Sequence, residues 1–329
     1  MVGLDPAIAI AQRPRYKKIM TARDASDIWP ALPLDSWQDT YATLHMWTQI
    51  VGKTRLALAP MVNHWWQVPL YVTTRGLTTT PMPCGGRTFE AEFDFFDHVL
   101  ALRRNDGATR TLRLAPRSVA DFYREYMALL KSLELDVRIR PVPVEVVTAI
   151  PFEEDREHSS YDRDAAQRCF KVLAQADRLL KEFRGRFLGK CSPVHFFWGA
   201  FDLACTRFSG RRAPLHPGGA PNCPDYVMHE AYSHECISAG FWPGGGSVPE
   251  PAFYAYAYPE PAGLPQARVL PAEARYDVGM REFVLPYEAV RTAARPDESV
   301  LSFLRSTYDA AADLAGWDRA TLERRNGAR

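Results

Sequence analysis

An α+β fold is what this sequence predicts, on three observations. Apolar residues recur every three or four positions in several long stretches, they alternate with period two in others, and both kinds follow the same order in each half of the chain. That order is helix, long strand, long strand, further strand, helix. Local text repeats as well: Val68–Pro83 and His195–Pro214 each carry a strand, a Thr/Arg pair, a glycine turn and a proline. Leu112–Leu133 likewise resembles Phe283–Leu314. The expectation is two similar α-β-β-β-α halves, related by an internal duplication, whose mostly antiparallel sheets meet around a central cleft.

Each element has its own justification. Residues 1–28 read as a flexible tail, whose basic run Arg13–Lys18 follows a short apolar patch, the reverse of a secretory signal. Trp29-Pro30-Ala31-Leu32-Pro33 is a stiff lead-in, and Asp35 or Ser36 caps a helix through Trp37, Tyr41, Leu44, Trp47 and Val51. Strand-like runs follow at Trp65–Thr74, Thr88–Arg104 and Thr109–Leu114, the last two separated by the tight-turn signal Asn105-Asp106-Gly107. Ala115–Ser118 opens a second helix with Val119, Phe122, Tyr123, Tyr126, Leu129, Leu130 and Leu133 on one face, and Val137–Ile139 reads as a short strand. The acidic, polar residues 151–161 read as a linker between an N-terminal half at 29–150 and a C-terminal half at 162–318. A helix from about Asp162 to Phe187 opens the second half. Strands at Val194–Phe208, Tyr226–Ile237, Phe253–Tyr258 and Glu282–Leu285 then lead to a closing helix at Val300–Leu314. Residues 319–329 are polar and expected to fray.

Composition narrows the function classes. With 47% hydrophobic and 24% charged residues the chain is an ordinary globular sequence. Forty Lys+Arg against 39 Asp+Glu leave a net charge of +1, which gives no bulk attraction to nucleic acid or to anionic membranes. No apolar run approaches the roughly 20 residues that span a bilayer. The six cysteines are scattered without a CxxC pair, which argues for reduced thiols in a cytoplasmic protein and against a zinc ribbon or iron–sulfur cluster. No nucleotide-cofactor motif is present: neither GxGxxG after a strand nor a GxxxxGK[ST] loop occurs, and HExxH and GxSxG are absent too. The partner this leaves is a small molecule.

Chemistry concentrates between Ser192 and Glu260, which hold four of the eight histidines, several acids, a run of tyrosines and two glycine clusters. His234, Glu230 and Glu235 are the catalytic candidates, because a carboxylate beside an imidazole can orient a general base or share a metal. His195, His216, His234 and Glu230 are the candidate ligands of a divalent metal, Fe, Zn or Mn. Arg207, Arg211 and Arg212 offer planar forks that suit a carboxylate or phosphate. Tyr254, Tyr256 and Tyr258 fall on one face of a period-two strand and suit a planar ligand, with Trp242 opening a candidate flap, Trp242–Gly246. Blander readings stand beside these: a hydrogen-bonded structural His–Glu pair, and a solvated arginine edge paired with Asp202 or Asp225.

The blocks TLHMWTQIVGK, NHWWQVPLYVTTRGLTTTPMP, HFFWGAFDLACTRFSGRRAP, EAYSHECISAGFWPGGG and FYAYAYPEP resemble those of a bacterial family catalogued only as a domain of unknown function. The resemblance runs from about Trp29 to the last helix. It implies a bacterial, soluble architecture and supplies no mechanism. From the residues, the expected function is an enzyme acting on a small anionic or aromatic molecule with a His/Glu-bound metal, oxygenase and hydrolase chemistry both open. The alternatives are a metal-free enzyme with Glu230 or Glu235 orienting His234, and a non-catalytic protein that binds a metabolite or peptide.

Overall fold

The computed structural model describes residues 28–245 and 249–324. The basic run at Arg13–Lys18 and the end of the candidate flap lie outside them. Twelve strands form two antiparallel sheets. The first contains β1 (Tyr71–Val72), β2 (Gly76–Thr78), β3 (Met82–Cys84), β4 (Arg87–Asp94), β5 (Val99–Arg104) and β6 (Thr109–Arg113). Its order is β1-β2-β4-β5-β6, with β3 following β2 along the same edge of β4. The second contains β7 (His195–Phe197), β8 (Asp202–Arg212), β9 (His234–Trp242), β10 (Ala252–Tyr258), β11 (Arg275–Asp277) and β12 (Glu282–Pro286), ordered β7-β8-β9-β10-β12-β11. Leu70 and Phe196 exchange two backbone hydrogen bonds of 2.9 Å and tie the sheets together.

Among the described residues seven helices cover these sheets: α1 (Gln38–Leu58), α2 (Val119–Ser132), α3 (Arg163–Arg184), α4 (Asp225–Ala231), α5 (Tyr287–Thr292), α6 (Pro296–Leu314) and α7 (Arg319–Leu322). Two of the long helices start at side-chain caps, whereas α1 starts at Trp37 with no side-chain cap, so neither Asp35 nor Ser36 caps it as expected. Ser118 accepts a hydrogen bond from the Asp121 N–H at the head of α2, and Asp162 does the same for Ala165 at α3. In the core the Trp47 ring stacks on Phe122 at 4.6 Å, with Tyr161 5.5 Å away, while Phe170 of α3 reaches Phe95 of the first sheet at 5.8 Å. One continuous apolar cluster runs from Trp29 to Trp317.

Several expected elements are differently divided, each for a local reason. The run Thr88–Arg104 breaks after Asp94, whose carboxylate accepts the N–H groups of Phe96 and Asp97 at 2.8 and 2.9 Å and turns the chain. Val194–Phe208 is a hairpin, not one strand, because the chain reverses over Trp198–Phe201, with Phe201 at φ 60°. Tyr226–Ile237 splits into α4 and β9. Val137–Ile139 joins no ladder. Residues 151–161 hold buried Phe152, Asp155 and Tyr161; Asp155 caps Glu157 and His158, so the polar composition there reflects turn capping. At the C-terminus α7 is ordered by Arg319, which bonds Asp313 at 2.8 Å and Glu323 at 2.6 Å, while Glu323 bridges Phe187.

A shared core makes the halves cooperative. Trp47→Ala removes a fully buried ring and should cost about 3–5 kcal/mol. Urea unfolding followed by fluorescence and by far-UV circular dichroism should give one coincident transition, moved to lower urea in the variant.

Candidate functional site

Register decides which side chains of the second sheet meet. Ala204 lies opposite Gly240, and Gly240 opposite Tyr254; Thr206, Ser238 and Tyr256 form the next row. Asp202 sits two residues before Ala204, and Glu282 two before Val284, the partner of Tyr254. Alternation therefore puts Asp202, Glu282, Tyr254 and Tyr256 on one face. Leu203, Cys205, Arg207, Ile237 and Phe253 point to the other, which packs under α3 and α6.

On the first face the Tyr254 phenol donates to the Asp202 carboxylate, and the Tyr232 and Tyr256 hydroxyls share a 2.7 Å hydrogen bond. Gly240 is required here, since a Cβ would run into the Tyr254 ring and the Leu203 carbonyl. Asp202 is buried, and that burial pushes its pKa up to about 7 against the Tyr254 bond, with the Glu145 charge adding to the rise. Glu282 is half-buried and pushed up to about 8, first by burial, then by Asp202 and Asp277. Crowding around its carboxyl raises Glu145 too, although the residue as a whole keeps exposed surface. Among the described residues no Lys, Arg or His forms an ion pair with any of the three.

Glu145 is held deliberately. It has a φ of 58°, unusual for a residue with a side chain. The Gln49 side-chain amide clasps the preceding Val144, donating to its carbonyl and accepting its N–H, both at 2.9 Å. The Glu145 N–H donates to the Pro221 carbonyl at 2.7 Å. Its carboxylate lies against Gly199, where a Cβ would collide with it. Beside it, His45 Nε2 donates to the Gly199 carbonyl at 2.8 Å; burial lowers the His45 pKa to about 4, so the ring is neutral. Tyr41 stacks near His45 with ring centres 6.0 Å apart. Glu145 is exposed, and Tyr41, His45, Tyr232, Tyr256 and Glu282 all keep accessible surface, so this face is not sealed. Carboxyl groups that titrate near neutrality can both give and take a proton there.

The expected site residues are distributed otherwise. His234 Nδ1 lies 3.1 Å from the Ser233 hydroxyl, and its ring is 5.7 Å from His64, itself bonded to Lys190 at 2.7 Å. His195 is fully buried among Trp66, Tyr71 and Phe197, with neither ring nitrogen partnered, and burial lowers its pKa to about 3. His216 stacks on Tyr232 at 4.6 Å. The three imidazoles thus have separate surroundings. Among the described residues no group of three or more His, Cys, Asp or Glu side chains could hold a metal ion. Glu230 belongs to α4 and His234 opens β9, so neither periodicity runs through both.

Glu235 accepts from Ser209 at 2.9 Å and from Arg211 at 2.8 Å; Arg211 also donates to the Ala315 and Gly316 carbonyls behind α6. Arg212 is exposed at the end of β8. Tyr254, Tyr256 and Tyr258 do share a face, with Tyr258 donating to the Pro214 carbonyl at 3.2 Å. Trp242 ends β9 on that face, its indole beside Tyr41 around Gly245. Arg207 lies on the opposite face, away from the tyrosines. The acids at the centre of the cluster were not singled out from the sequence as site residues. Their signal is a lone acid inside apolar strand text, as in FDLAC around Asp202, VEVV around Glu145 and EFVL at Glu282.

Fold and site together define an α+β protein of two antiparallel sheets with an acid–tyrosine cluster on one face of the second. The chain belongs to the family of unknown function DUF5996, whose family model matches residues 29–324. No curated protein and no solved structure matches it.

The Gln49 clasp has a measurable consequence. Gln49→Ala strands the Val144 backbone groups and should destabilise the chain by about 1–3 kcal/mol. Hydrogen exchange should accelerate at residues 144–146 before it does in α1.

Proposed function

We propose that the chain is a small-molecule enzyme of acid–base type whose ligand is an organic cation with an apolar body. The observation that carries this reading is the set Asp202, Glu145 and Glu282, three carboxyl groups without a cationic partner, beside the rings of Tyr254, Tyr256 and Tyr232. Carboxylates attract an ammonium or guanidinium group, and aromatic faces hold its surroundings by cation–π attraction. Desolvation, with the neighbouring charges, shifts Asp202 and Glu282 toward their protonated forms near neutral pH and raises Glu145 in the same direction. An arriving cation reverses that balance and drives protons off. The Asp202 carboxylate, with the Tyr254 hydroxyl donating to it, then takes a proton from the ligand. Support for the acids over a route through His234 and Glu230 is that Asp202 feels the Glu145 charge and Glu282 feels that of Asp202.

Calorimetric titration with butylammonium, agmatine and tetramethylammonium, against butanol and butyrate as matched controls, tests the ligand class. The cations should bind with a heat that depends on the buffer's ionisation enthalpy, reporting proton release. Equal binding of butyrate and butylammonium sinks the reading. A cation recovered chemically unchanged after long incubation, yet bound at the cluster, favours a non-catalytic carrier.

Stability gives an independent check. Asp202 titrates near 3.8 when unfolded and about 7 when folded, so the folded state holds the proton more tightly. Its contribution is therefore favourable at low pH and is lost as pH rises from about 4 to about 7. Asp202→Asn keeps an acceptor for Tyr254 and removes the titration. The variant should melt about 3 °C above the parent at pH 8, with the gain closing by about pH 4, a shift that corresponds to about 2 kcal/mol for one cooperative unit of this length. A variant that melts lower at pH 8 argues that Asp202 is structural.

A further inference from the structure

A second cavity lies on the helix-packed side of the same sheet, at the end of α3 and beneath α6 and α7. It encloses about 560 Å³ and is lined by Arg186, Arg207, Arg305, Arg319 and Arg324, with Asp309 and Glu323. Both acids are engaged by Arg319, which bonds Glu323 at 2.6 Å and pairs with Asp309. Arg305 makes only a long 3.5 Å contact with Glu182. Among the described residues Arg186, Arg207 and Arg324 form no ion pair.

Arg207 is the informative member. Its side chain is only 3% exposed, and its guanidinium carbon lies 3.5 Å from the centre of the Phe183 ring and 4.3 Å from that of Tyr308. One nitrogen donates to the Phe183 carbonyl, while Nε has no hydrogen-bond partner; the Arg305 Nε has none either. Two aromatic faces offset part of the cost of burying this cation, but no carboxylate neutralises it. A buried, permanently charged fork beside a basin of further arginines is missing its counter-charge.

We infer that this basin is a binding site for a phosphate group carried by a small molecule, separate from the acid–tyrosine cluster. Arginine forks reach the basin from the turn after α3, from β8, from α6 and from α7 and the residues after it, a three-dimensional arrangement that suits a tetrahedral, multiply charged oxyanion better than one flat carboxylate. The volume falls within the range of about 300–1,000 Å³ that metabolite sites occupy. The excess of arginines over acids sets the sign of the ligand. Because Arg207 and Tyr254 lie on opposite faces of the sheet, the two sites take ligands of opposite charge without sharing a residue.

The full chain is titrated calorimetrically with inorganic pyrophosphate, inorganic phosphate and citrate at constant ionic strength. Pyrophosphate should bind saturably with one site per chain. Arg186→Ala and Arg305→Ala, both at positions where little else depends on the side chain, should each weaken it by about ten-fold, in keeping with a charge-assisted hydrogen bond. Arg207→Lys keeps the charge, loses the fork and should weaken binding by a similar factor. Arg103→Ala in the first sheet should change nothing. Absence of saturable binding at millimolar pyrophosphate overturns the inference, as does parent-like affinity in Arg186→Ala and Arg305→Ala. Citrate binding tighter than pyrophosphate would overturn the phosphate assignment in favour of a polycarboxylate.

Discussion

The alignment of β8, β9 and β10 is the constraint on which the chemistry of this protein depends. Because Gly240 stands between Ala204 and Tyr254, the Tyr254 ring can lie across β9 and bring its hydroxyl to Asp202. Any side chain at Gly240 would close that path. A slip of one residue in β10 would turn Tyr254 and Tyr256 under α3 and α6 and bring Phe253 and Ala255 to the open face. Such a slip is opposed by the apolar row of Leu203, Ile237, Phe253 and Ala255, all buried beneath the helices. Packing on one face thus fixes polar chemistry on the other.

The second sheet consequently separates two kinds of unpaired charge. Acids without cations gather on the tyrosine face, and arginines without enough acids gather where the helices end. If Arg207 had faced Asp202, each would have neutralised the other and neither group would be left wanting a ligand. Separate faces keep them apart despite their closeness in sequence on β8. Desolvation acts differently on the two. A carboxyl group can take up a proton and become neutral, as Asp202 and Glu282 tend to do, whereas a guanidinium stays charged at any ordinary pH and has only aromatic faces and carbonyl oxygens to lean on.

How much of this was legible in the sequence depends on whether the controlling interaction is local. The long helices were readable because their apolar stripes and the caps Ser118 and Asp162 lie within a few residues of one another. So was the Asn105-Asp106-Gly107 turn, with Gly107 at φ 90°. The tyrosine face of β10 was visible from period two alone. The break after Asp94 was not, because one carboxylate capping two N–H groups leaves no periodic mark. The reversal at Trp198–Phe201 is hidden in an unbroken apolar run; in the hairpin Phe197 pairs with Asp202, so His195, Phe197 and Asp202 share a face. Histidine density pointed to His195, His216 and His234, whereas register between distant strands puts Asp202 and Glu282 on one face and the Gln49 clasp sets Glu145, neither of which leaves a local mark in the sequence.

Glu145 shows where the fold stores unfavourable energy and why it can. A left-handed backbone at a residue with a side chain costs of order 1 kcal/mol or more, and an unpaired acid in a crowded place adds to that. The chain meets the cost with the Gln49 clasp and the Pro221 hydrogen bond, both of which grip backbone atoms and leave the carboxylate itself untouched. A purely structural glutamate would be expected to be held the other way, by its charged end. Gly199 takes the same part on the opposite side, giving up a side chain so that the carboxylate can lie against it while its carbonyl orients His45. A firmly held backbone with an unpaired carboxylate is the arrangement that the proposed cation site requires.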